Sequence, residues 1–539
     1  MTGQPMDDGV DRRSFLQRLS ALAAASAVGG VALPAVAHAT PAPARPVKFG
    51  PVRPEALADH TELTIAEAAT LIGSGQLKPS DLVEAYLERI SRFDPTYQAF
   101  NLVLADESRV RARALDGKPT GSPLFGIPLA IKDNYFTAGV LTTANSFLYA
   151  KFEPPYDAEV VRRFTTAGGI VLGKSQMGPL ATTRATTPNG RITTVNAWAP
   201  GNAAVDPGGS STGSATATAG RMVSGSVGTQ TGGSITAPSN AQNLTGLKPT
   251  MGRVSLHGIV PLSYTRDHPG PLARDAMDAA ILLSVMAGAD PNDPRTEGLP
   301  PVPDLLTAAT PIPKGSGAKV RWPTRIGVIP GYTAGTTPVA TARRAFLDTI
   351  AGVEGITVVD VSLPDEWDVL TSLAFNNARL PERSEAFRTA LHQDLRLFGV
   401  SIYSWLFGAV IGADEFLVGQ RAKSLLLDRV LNQLFKQCDV VVQTSPNPFD
   451  AIGLPELALP IGFDPTGLPI GTILGGKPFG EDRLLAVAAA YQHLTDWHHR
   501  RPADPKPTTT RTTMRGRVGP APLQDRGRIT AAEAAVLTQ

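Results

Sequence analysis

The chain has 539 residues, 50 lysines and arginines against 48 aspartates and glutamates, and a single cysteine, Cys438. The balanced charge removes any bulk electrostatic case for nucleic acid. The lone cysteine excludes an intrachain disulfide, a thiolate zinc site and an iron–sulfur cluster. At roughly 150 residues per domain the length suggests three or four domains, and 52 glycines with 47 prolines favour a loop-rich globular chain over a coiled coil.

The two ends differ from the body. Asp11-Arg12-Arg13-Ser14-Phe15-Leu16-Gln17 is a twin-arginine pattern. An Ala-rich apolar run, Leu19 to Leu33, and an Ala37-His38-Ala39 cleavage site follow it. The run is too short and too rich in alanine and glycine for a membrane span. Residues 1–39 are therefore expected to be a twin-arginine signal peptide. Residues 40–59 are expected to be a Pro-rich leader. Residues 500–539, with eight basic and three acidic residues and few apolar ones, are expected to form a disordered Pro/Thr/Arg-rich tail.

Between the ends, helical and strand patterns alternate. Ser80 is placed to cap a helix with Leu82, Val83, Tyr86, Leu87 and Ile90 on one face. Leu124–Ile131 reads as strand and loop, Glu159–Ala167 as helix and Gly169–Leu172 as a buried strand. Ala276–Ala287 reads as helix and 291–323 as a Pro-rich link. Arg325–Val328 and Val358–Val361 read as strands. Residues 368–437 read as mostly helical, Asp439–Gln443 as a buried strand and Glu481–His493 as a closing helix. Such mixing argues for α/β layers, and no internal repeat is found.

Several literal motif matches fail on context. Gly168–Ser175 fits GxxxxGK[ST], but its loop positions are Ile-Val-Leu, which favour a strand over a phosphate cradle. Ser316-Gly317-Ala318-Lys319 fits SxxK, but lies among Pro311, Pro313 and Gly315 and is read as loop. There is no HExxH, and His498-His499 reads as a solvated helix end.

Residues 206–250 hold two Gly-Gly-Ser groups, at 208–210 and 232–234. Glycines ahead of a serine allow consecutive N–H groups to converge on one point, which an oxyanion hole requires. On glycine and serine content alone, two turns joined by an Ala-rich helix remain the simpler reading. Lys132 follows the apolar run Gly126–Ile131. A lysine in an apolar site loses ammonium hydration, so its pKa falls and it can serve as a base; a lysine reaching to solvent from a strand end is the alternative.

Together these segments resemble the amidase signature family of serine hydrolases over about 60–495. The resemblance includes GIPLAIKDN at 126–134, the GGSS and TGGSI segments, GLKPT at 246–250 and GLPELALPIGF at 453–463. It implies a single α/β/α domain, 60–499, with a large mixed β-sheet core covered by helices. It also implies a triad in which Ser234 is the nucleophile, Ser210 the cis-serine and Lys132 the base. The N–H groups of Thr231, Gly232, Gly233 and Ser234 would form the oxyanion hole, with Ser211 and Gln230 in support. No cofactor and no metal are implied.

The sequence departs from the family pattern at several positions. The Asp and Arg that commonly flank the second Gly-Gly-Ser are Gln230 and Thr236 here, a joint replacement that we expect to leave a neutral contact. Thr212 replaces a usual glycine, and Gln242 stands where a cysteine is common. Substrate choice is expected to lie in about 295–440. There Phe375, Phe387, Leu397, Phe398, Tyr403, Trp405 and Leu406 would cover an acyl pocket, and no basic residue stands out as a carboxylate anchor.

The expected function is a secreted amidase acting on neutral or apolar amides, small-molecule or oligomeric, with side esterase activity. The enzyme would be a monomer or homodimer, with no nucleic-acid partner and no membrane attachment after cleavage. It would be periplasmic, cell-wall-associated or extracellular. The rivals are an amidotransferase glutaminase subunit, which export disfavours, and a non-catalytic binding protein on the same fold.

Overall fold

The structure is a computed structural model that describes residues 49–188 and 190–506. The signal-peptide reading, the start of the leader and the tail beyond Lys506 lie outside these residues. The strands, in chain order, are β1 (Phe100–Val103), β2 (Pro128–Lys132), β3 (Ile170–Ser175), β4 (Gly225–Gln230), β5 (Thr245–Lys248) and β6 (His268–Ala273). They continue with β7 (Ile312–Lys314), β8 (Gly317–Val328), β9 (Glu354–Asp360), β10 (Val440–Gln443), β11 (Glu456–Phe463) and β12 (Pro469–Gly476). All join one mixed sheet in the order β1-β3-β2-β4-β6-β5-β11-β12-β10-β8-β7, with β9 paired to β8.

The β2–β3, β2–β4, β8–β10 and β8–β9 pairs are parallel. β2 and β4 are buried along their whole length, as expected of strands covered on both faces. Helices cover the sheet. That over Thr212–Ala219 is buried at every residue and packs on β2, β3 and β4. That over Glu481–Leu494 packs on β8, β11 and β12. The described strands thus join one sheet, where length alone suggested several domains.

Most expected elements are present, and the differences have local causes. The first long helix, Pro79–Tyr97, does bury Leu82, Val83, Tyr86, Leu87 and Ile90. It starts at Pro79, however, with Lys78 as cap, because proline fits the first helical position. The Ser80 N–H is instead taken by Asp116 Oδ1 at 3.0 Å. The 291–323 link contains a helix at Leu305–Ala308 and the β7–β8 hairpin. Ser316–Lys319 runs from its turn into β8, so it is not simply loop. Pro313 is tolerated because β7 is an edge strand.

The leader is also partly folded, with a helix at Pro54–Ala58 that buries Ala56. Residues 500–506 pack onto the body: Asp504 pairs with Arg89 and Arg221, and Pro502 is buried. His498 is buried in a turn at Trp497–His499, with its pKa held well below the usual imidazole range by burial, so it is not solvated. Gly168–Ser175 leads into β3, with Lys174 buried inside the sheet.

Gly228 in β4 shows how tightly the layer beneath the site is packed. A Cβ there would lie 2.7 Å from Ser211 Cβ and 2.9 Å from Leu272 Cδ1. Gly228→Ala is expected to lower stability by about 1–3 kcal/mol through overpacking. Urea unfolding should show a reduced midpoint at unchanged m-value.

Candidate active site

The site begins where two parallel strands end. Leu129, Ala130 and Ile131 of β2 lie beside Gly225, Ser226 and Val227 of β4. Lys132 closes β2, and Thr231–Ser234 follow directly on β4. Open α/β sheets place their ligand crevices outside such carboxyl ends. The third part, Ser210 and Ser211, immediately precedes the buried helix at Thr212–Ala219. The Gly209–Ser210 peptide bond is cis.

Lys132 is fully buried. Its Nζ lies 2.9 Å from Ser210 Oγ, 3.0 Å from Ser211 Oγ and 2.9 Å from Thr229 Oγ1, with the Thr229 carbonyl oxygen at 3.3 Å. No carboxylate forms an ion pair with it among the described residues. Three hydroxyls can each donate or accept, so this shell satisfies an amine as well as an ammonium. Burial therefore pushes the Lys132 pKa down to about 7, opposed by the field of Asp267. Lys174 provides the contrast. It is equally buried, but donates to the carbonyl oxygen of Tyr135 and to Thr142 Oγ1 and sits 3.6 Å from Asp133. Its pKa falls only to about 8.

The Thr231–Ser234 loop has a free set of donors. Gly233 has φ +93°, which lets the backbone reverse locally. No described residue accepts a hydrogen bond from the N–H of Thr231, Gly232, Gly233 or Ser234. Ser234 is partly exposed, and its hydroxyl makes no hydrogen bond to a described residue. Ser210 is thus bonded to Lys132 and not to Ser234. Hydroxyls in substrate-free sites are commonly loose and align only when ligand arrives.

Gln230 fixes this loop. Its Oε1 accepts from the N–H of Ile235 at 2.8 Å and of Thr236 at 2.9 Å, and lies 3.3 Å from Thr236 Oγ1. Its Nε2 donates to Asp450 Oδ1 at 2.8 Å and Glu456 Oε2 at 3.0 Å. Two backbone donors on one side and two carboxylates on the other admit a single amide orientation. A neutral contact does therefore join Gln230 and Thr236. Lys248 lies 3.5 Å from Asp450 and 3.4 Å from Glu456. Burial, with the neighbouring Asp450 charge adding to it, drives the Glu456 pKa well above its ordinary value.

Sequence reasoning missed Thr229, Lys248, Asp267, Asp450 and Glu456. Lys248 and Glu456 lie inside the GLKPT and GLPELALPIGF motifs, but nothing in their spacing gave them a partner. Asp267 receives the Thr231 hydroxyl and the N–H groups of Leu262 and Ser263. The aromatic residues expected over an acyl pocket divide. Phe387, Phe398 and Trp405 pack on one another with Met177, Leu180 and Leu262. Tyr403 and Leu406 are exposed and Leu397 is half-buried. Phe375 lines a cleft beside Arg266 and Asn447.

The amidase family matches residues 81–446. The chain belongs to this family. The amidase-signature hydrolases act on amide bonds, and the contacts from Lys132 to Ser210 and Ser211 are consistent with their triad. The chain is 34% identical to a glutamyl-tRNA(Gln) amidotransferase subunit from Chloroflexus aurantiacus over 495 residues, covering 82% of this chain and 98% of that protein. The solved peptide amidase of Stenotrophomonas maltophilia is 28% identical with a TM-score of 0.68, over 82% of this chain and 98% of the other. A 6-aminohexanoate cyclic dimer hydrolase shares the fold, with a TM-score of 0.69 at 23% identity over 82% and 99% of the two chains.

Gln230→Glu would set a third carboxylate against Asp450 and Glu456. It is expected to cost about 3–5 kcal/mol at neutral pH. The new group's folded pKa is raised above its unfolded value. Its penalty is therefore absent below the ordinary carboxylate pKa and grows as pH rises through it. Thermal unfolding of both proteins across pH 4 to 8 measures the difference.

Proposed function

We propose that the protein is a serine amidohydrolase of linear amides. The carrying observation is the buried Lys132 amine held by the Ser210 and Ser211 hydroxyls with no carboxylate paired to it among the described residues. In this reading Lys132 is neutral at working pH and accepts the Ser210 proton, while Ser210 accepts that of Ser234. Ser234 Oγ then attacks the amide carbonyl carbon. The developing oxyanion is received by the N–H groups of the Thr231–Ser234 loop. Ser210 returns a proton to the amine nitrogen and is reprotonated from Lys132. The C–N bond breaks and leaves an acyl-Ser234 ester. Water repeats the attack through the same relay, and the carboxylic acid departs. An ester substrate would follow the same path, since its leaving alcohol asks less of the proton donor.

The twin-arginine pattern at residues 11–17 supports export, so the reading extends to a secreted enzyme without nucleic-acid or membrane partners. A second reading, the glutaminase subunit of an amidotransferase, is favoured by the name of the Chloroflexus relative, matched over 98% of its length. The two separate on whether the isolated chain hydrolyses amides or needs a second subunit. Hydrolysis of acyl-anilides, peptide amides and oligoamides by the isolated protein supports the first. Activity restricted to a co-purified complex supports the second.

Ser234→Ala and Lys132→Ala are each expected to reduce kcat by at least about 10³-fold, with Ser210→Ala nearly as severe. Labelling of Ser234 by a fluorophosphonate probe should disappear in the first variant. Full activity of Lys132→Ala at neutral pH would remove lysine as the base.

The neutral form of Lys132 is the active one. The kcat/KM profile should therefore rise with pH through an acid limb near 7, following the lowered pKa. A limb near 4, or none between pH 5 and 9, contradicts the assignment.

A further inference from the structure

Beside the loop that carries Ser234 lies a group of cations that the proposed chemistry does not use. Arg266 and Arg383 are 3% and 8% exposed, and Arg379 and Lys423 are partly buried. Their hydrogen-bond partners are all neutral. Arg266 donates to Asn376 Oδ1 and, at 3.3 Å, to Asn447 Oδ1. Arg383 donates to Ser404 Oγ at 2.6 Å and stacks over Trp405. Lys423 donates to the Thr265 carbonyl oxygen at 2.8 Å. The Arg379 guanidinium has no hydrogen-bond partner among the described residues, and its Nε and Nη1 are buried. None of the four forms an ion pair with a carboxylate among the described residues.

The acids nearby are committed elsewhere. Glu382 binds Ser263 and Thr265, and Asp267 binds Thr231, Leu262 and Ser263. Burial pushes all four cations below their ordinary pKa, and for Arg266 and Arg383 repulsion from Arg379 is the next cause. Leaving buried charge uncompensated is strongly unfavourable, so a fold that keeps it is arranged for a counter-charge.

Arg266, Arg379 and Lys423 line a cavity of about 30 Å³, together with Phe375 and Asn447. A water needs about 10–15 Å³ on this measure, so the cavity has room for a two-oxygen group. It adjoins the reaction centre: Asn447 follows Pro446, whose Cγ would lie 3.1 Å from a Cβ on Gly233. Asp267, next to Arg266, carries the Thr231 hydroxyl. The acyl portion stays on Ser234 after the amine leaves, so an anchor on that portion is kept through both steps.

We infer that Arg266, Arg379 and Lys423 bind a free carboxylate on the acyl portion of the substrate, which makes ω-carboxyacyl amides the favoured class. This rests on the amide-hydrolase reading and replaces the expectation of neutral acyl groups. Arg379, the residue without a partner, is the principal anchor.

The test uses the full chain with 4-nitroanilides of succinic, glutaric and adipic acid, each compared with its methyl ester. At least one free acid should exceed its ester 10-fold or more in kcat/KM, mainly through KM. Arg379→Gln should bring that ratio near one, and Arg379→Lys should keep an intermediate ratio. Equal values for every acid and ester in the wild type overturn the inference while leaving the amidase reading intact. So does a preference unchanged in both Arg379→Gln and Lys423→Gln. If no anilide is hydrolysed, the wider amide panel tests the amidase reading separately, and calorimetry decides the pocket. Binding of glutarate that is lost in Arg379→Gln sustains the carboxylate site. Binding of inorganic phosphate without glutarate, or of neither, overturns it. Thermal melts establish that each variant is folded.

Discussion

The burial of one amine organises the site. Lys132 can sit in the interior because its strand ends there and because three hydroxyls, not carboxylates, receive it. A carboxylate within reach would hold the ammonium and keep the pKa high. Hydroxyls solvate either protonation state and leave desolvation as the dominant influence. That choice constrains the neighbours. Ser210 and Ser211 must meet the end of β2, so the buried helix at Thr212–Ala219 must begin there. Gly228 must have no side chain, because Ser211 occupies the space. The fully buried parallel strands β2 and β4 are what allow so many polar groups to converge without water.

A second constraint keeps the oxyanion loop from joining this charge problem. Its backbone is held by an amide, and the charged groups are passed one layer further out. Gln230 converts two carboxylates, Asp450 and Glu456, into acceptors that aim its carbonyl oxygen at Ile235 and Thr236. Lys248 supplies the compensating cation beneath them. A charged pair at positions 230 and 236 is thus dispensable because the charge has moved to β5 and β11. The four loop N–H groups remain unengaged, which is what a receiving site for an oxyanion needs.

How much of this the sequence carried depends on range. Local patterns read well: the faces of the Pro79–Tyr97 helix, the strand nature of Ile170–Ser175, and Lys132 at the end of an apolar strand all follow from short-range periodicity. Pairing between distant segments did not. No spacing indicates that Lys248 meets Asp450, far along the chain from it, or that Asp267 lies under Thr231. Proline misled in both directions. It suggested loop at Ile312–Lys314, where an edge strand needs few of its N–H groups, and leader at Pro54–Ala58, where it starts a helix. Aromatic content over 368–437 suggested a pocket lining, but Phe387, Phe398 and Trp405 satisfy one another in a core. No arginine stood out as a carboxylate anchor, because burial and missing partners are properties of the folded chain.

Asp267 connects these parts. Among the described residues its field acts on Lys132, and it also acts on Arg379 and Arg383. Standing between an amine that must stay neutral and guanidiniums that must stay charged, it acts with opposite benefit on the two sides. It raises the Lys132 pKa and offsets part of the arginine charge. Its own carboxylate is desolvated, which raises its pKa, while three donors from Thr231, Leu262 and Ser263 hold it toward the ionised form. A substrate carboxylate entering the cavity would be paired with the cations that line it. The cations then screen that charge from Lys132, so a charged substrate can bind without restoring the proton that the base must lack.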